Sequence, residues 1–190
     1  MKVRKADPVN TRTAPIETFP SSRSFEDMFL EHWGSVYRLL VRMIGDPAEA
    51  EDLALETFFR FHQRPPKTGK GYNPGGWLYR VATNLGLRSI RSFKRREQYE
   101  MAAGKGALES SHVDWPAEIF ESQENHRLAR LVLAQMNPRR AELLVMRYSG
   151  MAYKDIAKAL DLSPTSIGPL LLRSEHEFEK IYRDLDQEEA

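Results

Sequence analysis

Residues 76–96 read GWLYRVATNLGLRSIRSFKRR. Trp77, Leu78, Val81, Leu85 and Ile90 recur at helical spacing, so the stretch predicts an amphipathic helix. Asn73-Pro74 supplies its start, and it is expected to run to about Arg96. From Arg88 to Arg96 there are five Lys or Arg in nine residues and no acid, so ion pairing within the helix cannot be their purpose. An aromatic start (Trp77, Tyr79) followed by a basic run suits a nucleic-acid backbone and its bases.

The same grammar extends on either side. Residues 1–22 contain Pro8, Pro15 and Pro20 among Thr and Ser and read as a disordered basic tail. Ser24 reads as an N-cap with Asp27 near the first-turn amides, and apolar residues from Phe25 to Ile44 keep helical spacing. Gly45 stops that helix. Asp46-Pro47-x-Glu49 starts a second one, predicted to reach about His62. Residues 64–76 are rich in Pro, Gly and Lys and read as a loop.

Beyond the basic helix, Ala103-Gly104-Lys105-Gly106 and Ser110-Ser111 read as a linker. Leu128, Leu131, Val132 and Met136 then form one stripe, and Asn137-Pro138 caps a helix that Ser149-Gly150 ends. Residues 152–173 have helix-turn-helix spacing: a short helix with the small Ala157, a turn at Asp161-Leu162-Ser163, and a helix opened by Pro164. An ordinary helical hairpin would share that spacing. No period-two pattern occurs anywhere. The expected fold is all-α, in two small helical domains joined by a flexible linker. The expected boundaries are a tail at 1–22, a first domain at 23–98, a linker at 99–118, a helix-turn-helix domain at 119–186 and an acidic end at 187–190.

Composition narrows the function. The formal charge of +1 hides a segregation: basic residues gather in the tail and at 88–96, while seven acids crowd residues 175–190. The absence of cysteine excludes disulfides and thiolate metal sites and fits a reducing, cytoplasmic setting. No apolar run approaches the roughly 20 residues of a membrane span, and no secretory signal is legible. The five histidines are scattered without ligand spacing, and there is no phosphate loop or nucleophile elbow. No enzyme activity, metal or cofactor is expected. The acids Glu49, Glu51, Asp52 and Glu56 share a helix with Leu53, Phe58 and Phe59 and suit a protein-docking face better than a dry catalytic pocket.

Together these pieces resemble the extracytoplasmic-function (ECF) RNA polymerase sigma factors, over about 25–96 (the family's region 2) and 128–185 (its region 4). The residues GDPAEAEDLALETFFRF look like the family's helix that docks the polymerase β′ clamp helices; GGWLYRVATNLGLRSIR looks like its −10 melting and reading segment; MNPRRAELLVMRYSGMAYKDIAKALDLSPTSI looks like the start of its −35 domain. The resemblance implies core-polymerase binding through Asp52, Leu53, Glu56 and Phe59. It implies −10 DNA binding through Trp77, Arg80, Asn84, Arg88, Arg91, Lys94 and Arg95, with Asn84 near a flipped base. For the −35 duplex it implies Lys154, Ser163, Thr165, Ser166 and Arg173. It names core RNA polymerase, including its β flap, promoter DNA and an anti-sigma factor as partners, with no membrane. A sigma-like interaction protein without standard −35 reading is the alternative. A dimeric helix-turn-helix repressor would leave the acidic helix and residues 77–96 unexplained.

The chain departs from the family pattern at Leu55 (often Gln), Arg88 (often Asp) and Asp161 (usually Gly). The recognition helix departs most. Where the family carries several basic residues, this chain has Gly168, Leu170 and Glu175, and Arg173 alone remains basic. Pro169 is expected to bend or delay that helix. Leu170, Leu171 and Leu172 cannot all face one core, which predicts weak −35 binding and an apolar surface for a protein partner.

Overall fold

Ser24 opens the first helix, α1 (Phe25–Ile44), with a reciprocal capping box. Its hydroxyl accepts from the Asp27 amide at 3.2 Å, and its own amide donates to Asp27 Oδ2 at 2.9 Å. The structure is a computed structural model that describes residues 24–66, 73–102 and 117–189. The tail at 1–22, residues 67–72 and the linker core at 103–116 lie outside the described residues.

Gly45 ends α1 in the left-handed conformation (φ 81°), its amide bonded to the Val41 carbonyl at 2.8 Å. A Cβ at Gly45 would also collide with the Arg130 guanidinium, so glycine serves twice there. Asp46 then caps α2 (Pro47–Gln63), its Oδ1 accepting from Ala48 at 2.8 Å and Glu49 at 3.2 Å. Asp46→Ala removes both acceptors. The expected loss is about 1 kcal/mol of stability, read from the urea midpoint.

Helix α3 (Pro74–Ala102) starts with the Asn73 side chain accepting from the Gly76 amide at 2.9 Å. It runs past Arg96, where the sequence reading placed its end. The residues that follow, Glu97 to Ala102, are mostly good helix formers, and no Gly or Pro intervenes before Gly104. Helix α4 (Ala117–Gln135) likewise begins inside the expected linker. The remaining helices are α5 (Pro138–Tyr148), capped by Asn137, then α6 (Tyr153–Leu160) and α7 (Pro164–Glu189). Asp161 makes the turn between α6 and α7 at φ 56° and ψ 48°, and buried Ala157 lies beneath it. The described residues contain helices and no strand, in agreement with the all-α expectation.

Pro169 lies inside α7, which neither starts late nor breaks. The proline costs the one bond that its amide would have made to the Thr165 carbonyl. Thr165 is exposed, so water can take that carbonyl over.

The first bundle, α1–α3, closes around Val36, Leu39, Leu40, Phe58, Phe61 and Leu78. Phe58 sits between Phe29 at 4.9 Å and Trp33 at 5.9 Å between ring centroids. The second bundle, α4–α7, closes around Val132, Met136, Leu144, Met146, Ile156, Ile167 and Leu171. Glu177 on α7 ties it to the α4–α5 turn, accepting from the Asn137 amide at 2.8 Å and from Arg140 at 2.7 Å. Burial alone would raise the Glu177 carboxyl; those two donors outweigh it and hold it below the ordinary range.

The two bundles do not stand apart. Helix α3 packs on α1 and α2 and also on α4, α5 and α6, so the buried residues of both halves form one continuous core. Arg130 of α4 reaches the last carbonyl of α1, donating from Nη1 to Ile44 O at 2.8 Å. A cation there also meets the negative end of the α1 dipole.

Candidate nucleic-acid interface

The basic run is divided by the geometry of α3. Arg80, Asn84, Leu87 and Arg91 fall at i, i+4, i+7 and i+11, one face of a helix. Arg80 and Asn84 bond to the C-terminal half. Arg88, Arg95 and Arg96 are exposed to water. Trp77 is half-buried, edge-on to Phe61 at 5.6 Å, so it belongs in part to the core. Tyr79 is half-buried as well. Lys94 lines a cavity of about 310 Å³ between the α1–α2 turn, α3 and α4, with Glu49, Arg127 and Arg130. Ser89, also on that wall, donates to Glu49. A shallower depression beside it is lined by Arg88, Arg91, Ser92, Lys94 and Arg95 together with Ala134 of α4.

The acid that meets this face is Glu142 of α5, only 6% exposed. Its Oε1 accepts from Asn84 Nδ2 at 2.8 Å and lies 3.6 Å from Arg80 Nε. Arg80 Nη1 also donates to the Ala159 carbonyl of α6 at 3.3 Å. Burial pushes the Glu142 carboxyl above its ordinary value, against the pull of Arg80, the Asn84 hydrogen bond and Arg139. An acid whose folded pKa is raised is most favourable when protonated. Its contribution to this packing therefore declines as pH rises from the ordinary carboxylate range through the raised value, and is flat above that.

Arg91 is in a similar position. Burial lowers its pKa, and its Nη2 is buried with no hydrogen-bond partner among the described residues. The sequence reading identified Arg80, Asn84 and Arg91 but not Glu142. Glu142 is the only acid in α5, set among the apolar residues that follow Arg139 and Arg140, and nothing in its neighbours announces that it is buried.

On α2, Asp52, Leu55, Glu56 and Phe59 share one face at i, i+3, i+4 and i+7. Asp52 is exposed, and so are Leu55 at 49% and Phe59 at 54%. Glu56 accepts from Arg60 at 2.7 Å. Leu53, expected on the same surface, is half-buried and packs against the core instead.

The helix-turn-helix places Lys154, Ser163, Thr165 and Arg173 in solvent, with Ser166 half-buried. The Ser163 and Thr165 hydroxyls are 2.8 Å apart at the start of α7. The outer strip of α7 runs Thr165, Pro169, Leu172, Arg173 and His176, all exposed, and carries one permanent cation. Leu171 is buried and Leu170 half-buried against the core. The expected apolar surface thus reduces to Leu172, at 56% exposure.

Comparison with known proteins identifies the family. The family model Sigma-70 region 2 matches residues 28–97, and the model Sigma-70, region 4 matches residues 126–174. The ECF RNA polymerase sigma factor SigE of Mycolicibacterium smegmatis is 31% identical over 147 residues, covering 72% of this chain and 53% of SigE. The ECF RNA polymerase sigma factor SigL of Mycobacterium tuberculosis is 30% identical over 146 residues, covering 74% of this chain and 78% of SigL. The chain therefore spans about half the length of the first relative and more than three quarters of the second. Among solved structures, CnrH in complex with the cytosolic domain of CnrY shares the fold, with a TM-score of 0.52 at 13% identity over 87% of this chain and 91% of that one. Two matched regions in the family's order and a relative of this identity and coverage place the chain among the extracytoplasmic-function sigma factors of the sigma-70 family.

Proposed function

We propose that this chain is a promoter-recognition subunit that binds core RNA polymerase and directs −10 melting and transcription initiation, in the cytoplasm and without an active site of its own. One observation carries the reading. The acidic and aromatic face of α2 (Asp52, Glu56, Phe59) and the cationic residues of α3 lie on separate helices of one small bundle, so a protein and a strand can be held together. In this reading α2 docks the polymerase clamp. Arg88, Lys94 and Arg95 track the phosphates, Arg80 and Arg91 extend that path, and Asn84 and Trp77 meet the unpaired bases. Phosphate contacts supply affinity and salt dependence, and base contacts supply sequence.

Runoff transcription with purified core polymerase on a pool of genomic promoter fragments tests it. Transcripts are expected only when this chain is added. Polymerase binding without transcripts would overturn the reading in favour of a sigma-like interaction protein. The outer strip of α7 favours that second reading for the C-terminal half, because one arginine beside Pro169 and Leu172 is a poor match to a duplex backbone. A −35 duplex is then expected to bind the chain weakly, and anchoring upstream DNA would fall to Lys154, Ser163, Thr165, Ser166 and Arg173.

A further inference from the structure

The cavity of about 310 Å³ between the α1–α2 turn, α3 and α4 has the make-up of a small-molecule site. Ile44, Ile90, Phe93 and Leu131 give it an apolar wall. Ile90 is buried, but Phe93 on the same helix is 60% exposed, so most of its ring is left uncovered by the chain. The charged lining sets Lys94, Arg127 and Arg130 against Asp46 and Glu49, a surplus of one positive charge. Both acids already serve the fold: Asp46 accepts from the Ala48 and Glu49 amides, and Glu49 accepts from Ser89.

The cations of α4 are placed for an anion. Arg127 and Arg130 lie one helical turn apart and line the same cavity. Burial lowers the Arg130 pKa, and the neighbouring Arg127 charge lowers it further, so the pair is held against its own repulsion. An anion between the two would relieve that repulsion. Arg130 is also fixed in place. Its Nη1 donates to the Ile44 carbonyl at 2.8 Å, and Gly45 has no side chain where a Cβ would strike the guanidinium. A guanidinium carries several N–H donors in a planar fork, so a group anchored by one of them can also hold a carboxylate. Anchoring it beforehand reduces what ordering it would cost on binding.

We propose that this cavity binds a small aromatic monocarboxylate, its ring against Ile44, Ile90, Phe93 and Leu131 and its carboxylate on Arg127 and Arg130. A single negative charge matches the surplus in the lining, and Asp46 and Glu49 disfavour a doubly charged phosphate head. The volume is at the small end of the roughly 300–1,000 Å³ of ligand pockets, which suits a molecule of one or two fused rings. The inference goes beyond the promoter role and does not depend on it, because Arg127 and Arg130 lie on α4, away from the strand path given to α3.

The test titrates 2-naphthoate into the full chain and follows it by ligand-observed NMR. A Kd of about 1 mM or tighter is expected, an ordinary efficiency for a molecule of that size. The uncharged 2-naphthylmethanol keeps the ring and is expected to bind at least about tenfold more weakly, since it lacks the charge-assisted hydrogen bonds. Arg127→Gln is expected to weaken naphthoate at least about fivefold and to leave naphthylmethanol within about twofold. Leu131→Trp fills the cavity and is expected to abolish binding of both. Arg183→Gln removes an exposed cation of α7 and is expected to change neither by more than about twofold.

No binding of naphthoate at about 10 mM would overturn the proposal, being far above the Kd expected for its size. Equal binding of naphthylmethanol would remove the carboxylate seat. Equal weakening by Arg127→Gln and Arg183→Gln would reduce the effect to general surface attraction and overturn the site. Tighter binding of 2-naphthyl phosphate would give the cavity to a dianion instead. Should Leu131→Trp not fold, Phe93→Ala replaces it, because that ring is exposed and its loss spares the core. A matching loss for naphthoate and naphthylmethanol is then expected, and no loss for either would refute the ring seat.

Discussion

Phe58→Ala is expected to lower the stability of the chain by about 4 kcal/mol, within the range for emptying a buried aromatic site. Phe58 is 2% exposed, with Phe29 at 4.9 Å and Trp33 at 5.9 Å, and fully buried Phe61 lies on the same helix one turn on. Rings held in tilted contact cannot collapse into the space without losing their own packing, so most of the cavity remains. Small domains typically hold about 5–15 kcal/mol in all, so this one change removes a large share. The neighbouring Phe59→Ala is the control. Its ring is 54% exposed, and the expected cost is within about 0.5 kcal/mol. Urea unfolding followed by circular dichroism measures both. A Phe58→Ala cost below about 1.5 kcal/mol would contradict the packing described for α1 and α2.

The second large effect is electrostatic. Arg88→Glu combined with Arg95→Glu is expected to weaken binding of a single strand by roughly ten- to a hundredfold at moderate salt. The logarithmic salt dependence should become shallower by about 1.4, since each single-strand phosphate contact carries about 0.7. These two arginines are the clean choice because both are exposed. Arg91 is half-buried with an unpaired Nη2, so reversing it would disturb packing and strand binding at once. Stability should stay within about 0.5 kcal/mol of the native chain. Fluorescence anisotropy across a sodium chloride series supplies both numbers, and an unchanged salt slope would remove these residues from the strand path.

The local grammar of the chain was legible in its sequence because the deciding interactions are local. The Ser24–Asp27 box, the Gly45 stop, the Asp46-Pro47 start, the Asn137-Pro138 cap and the Asp161 turn each depend on residues a few positions apart. Asp52, Leu53, Glu56 and Phe59 of α2 were named from the family resemblance, and the packing of the helix turns Leu53 inward. What the sequence did not reveal are the partnerships made at long range. Asn84 and Glu142 are 58 residues apart, and Arg130 and Ile44 are 86. Nothing in the apolar pattern of α3 says that its second face meets another bundle, because a basic helix turned to solvent and one partly covered by a neighbour look the same in one dimension. The delay expected of Pro169 does not occur, for a related reason. Its cost depends on whether the Thr165 carbonyl can find water, which only the exposure of α7 reveals.

The shared position of α3 has a further meaning for the life of the molecule between synthesis and use. Leu87, 1% exposed, lies on the face of α3 that carries Asn84 and Arg91 toward the second bundle. Left bare, such a surface would be open to aggregation and to proteases. The second bundle covers that surface with parts the chain already needs, so the packing between the halves also guards the chain against aggregation.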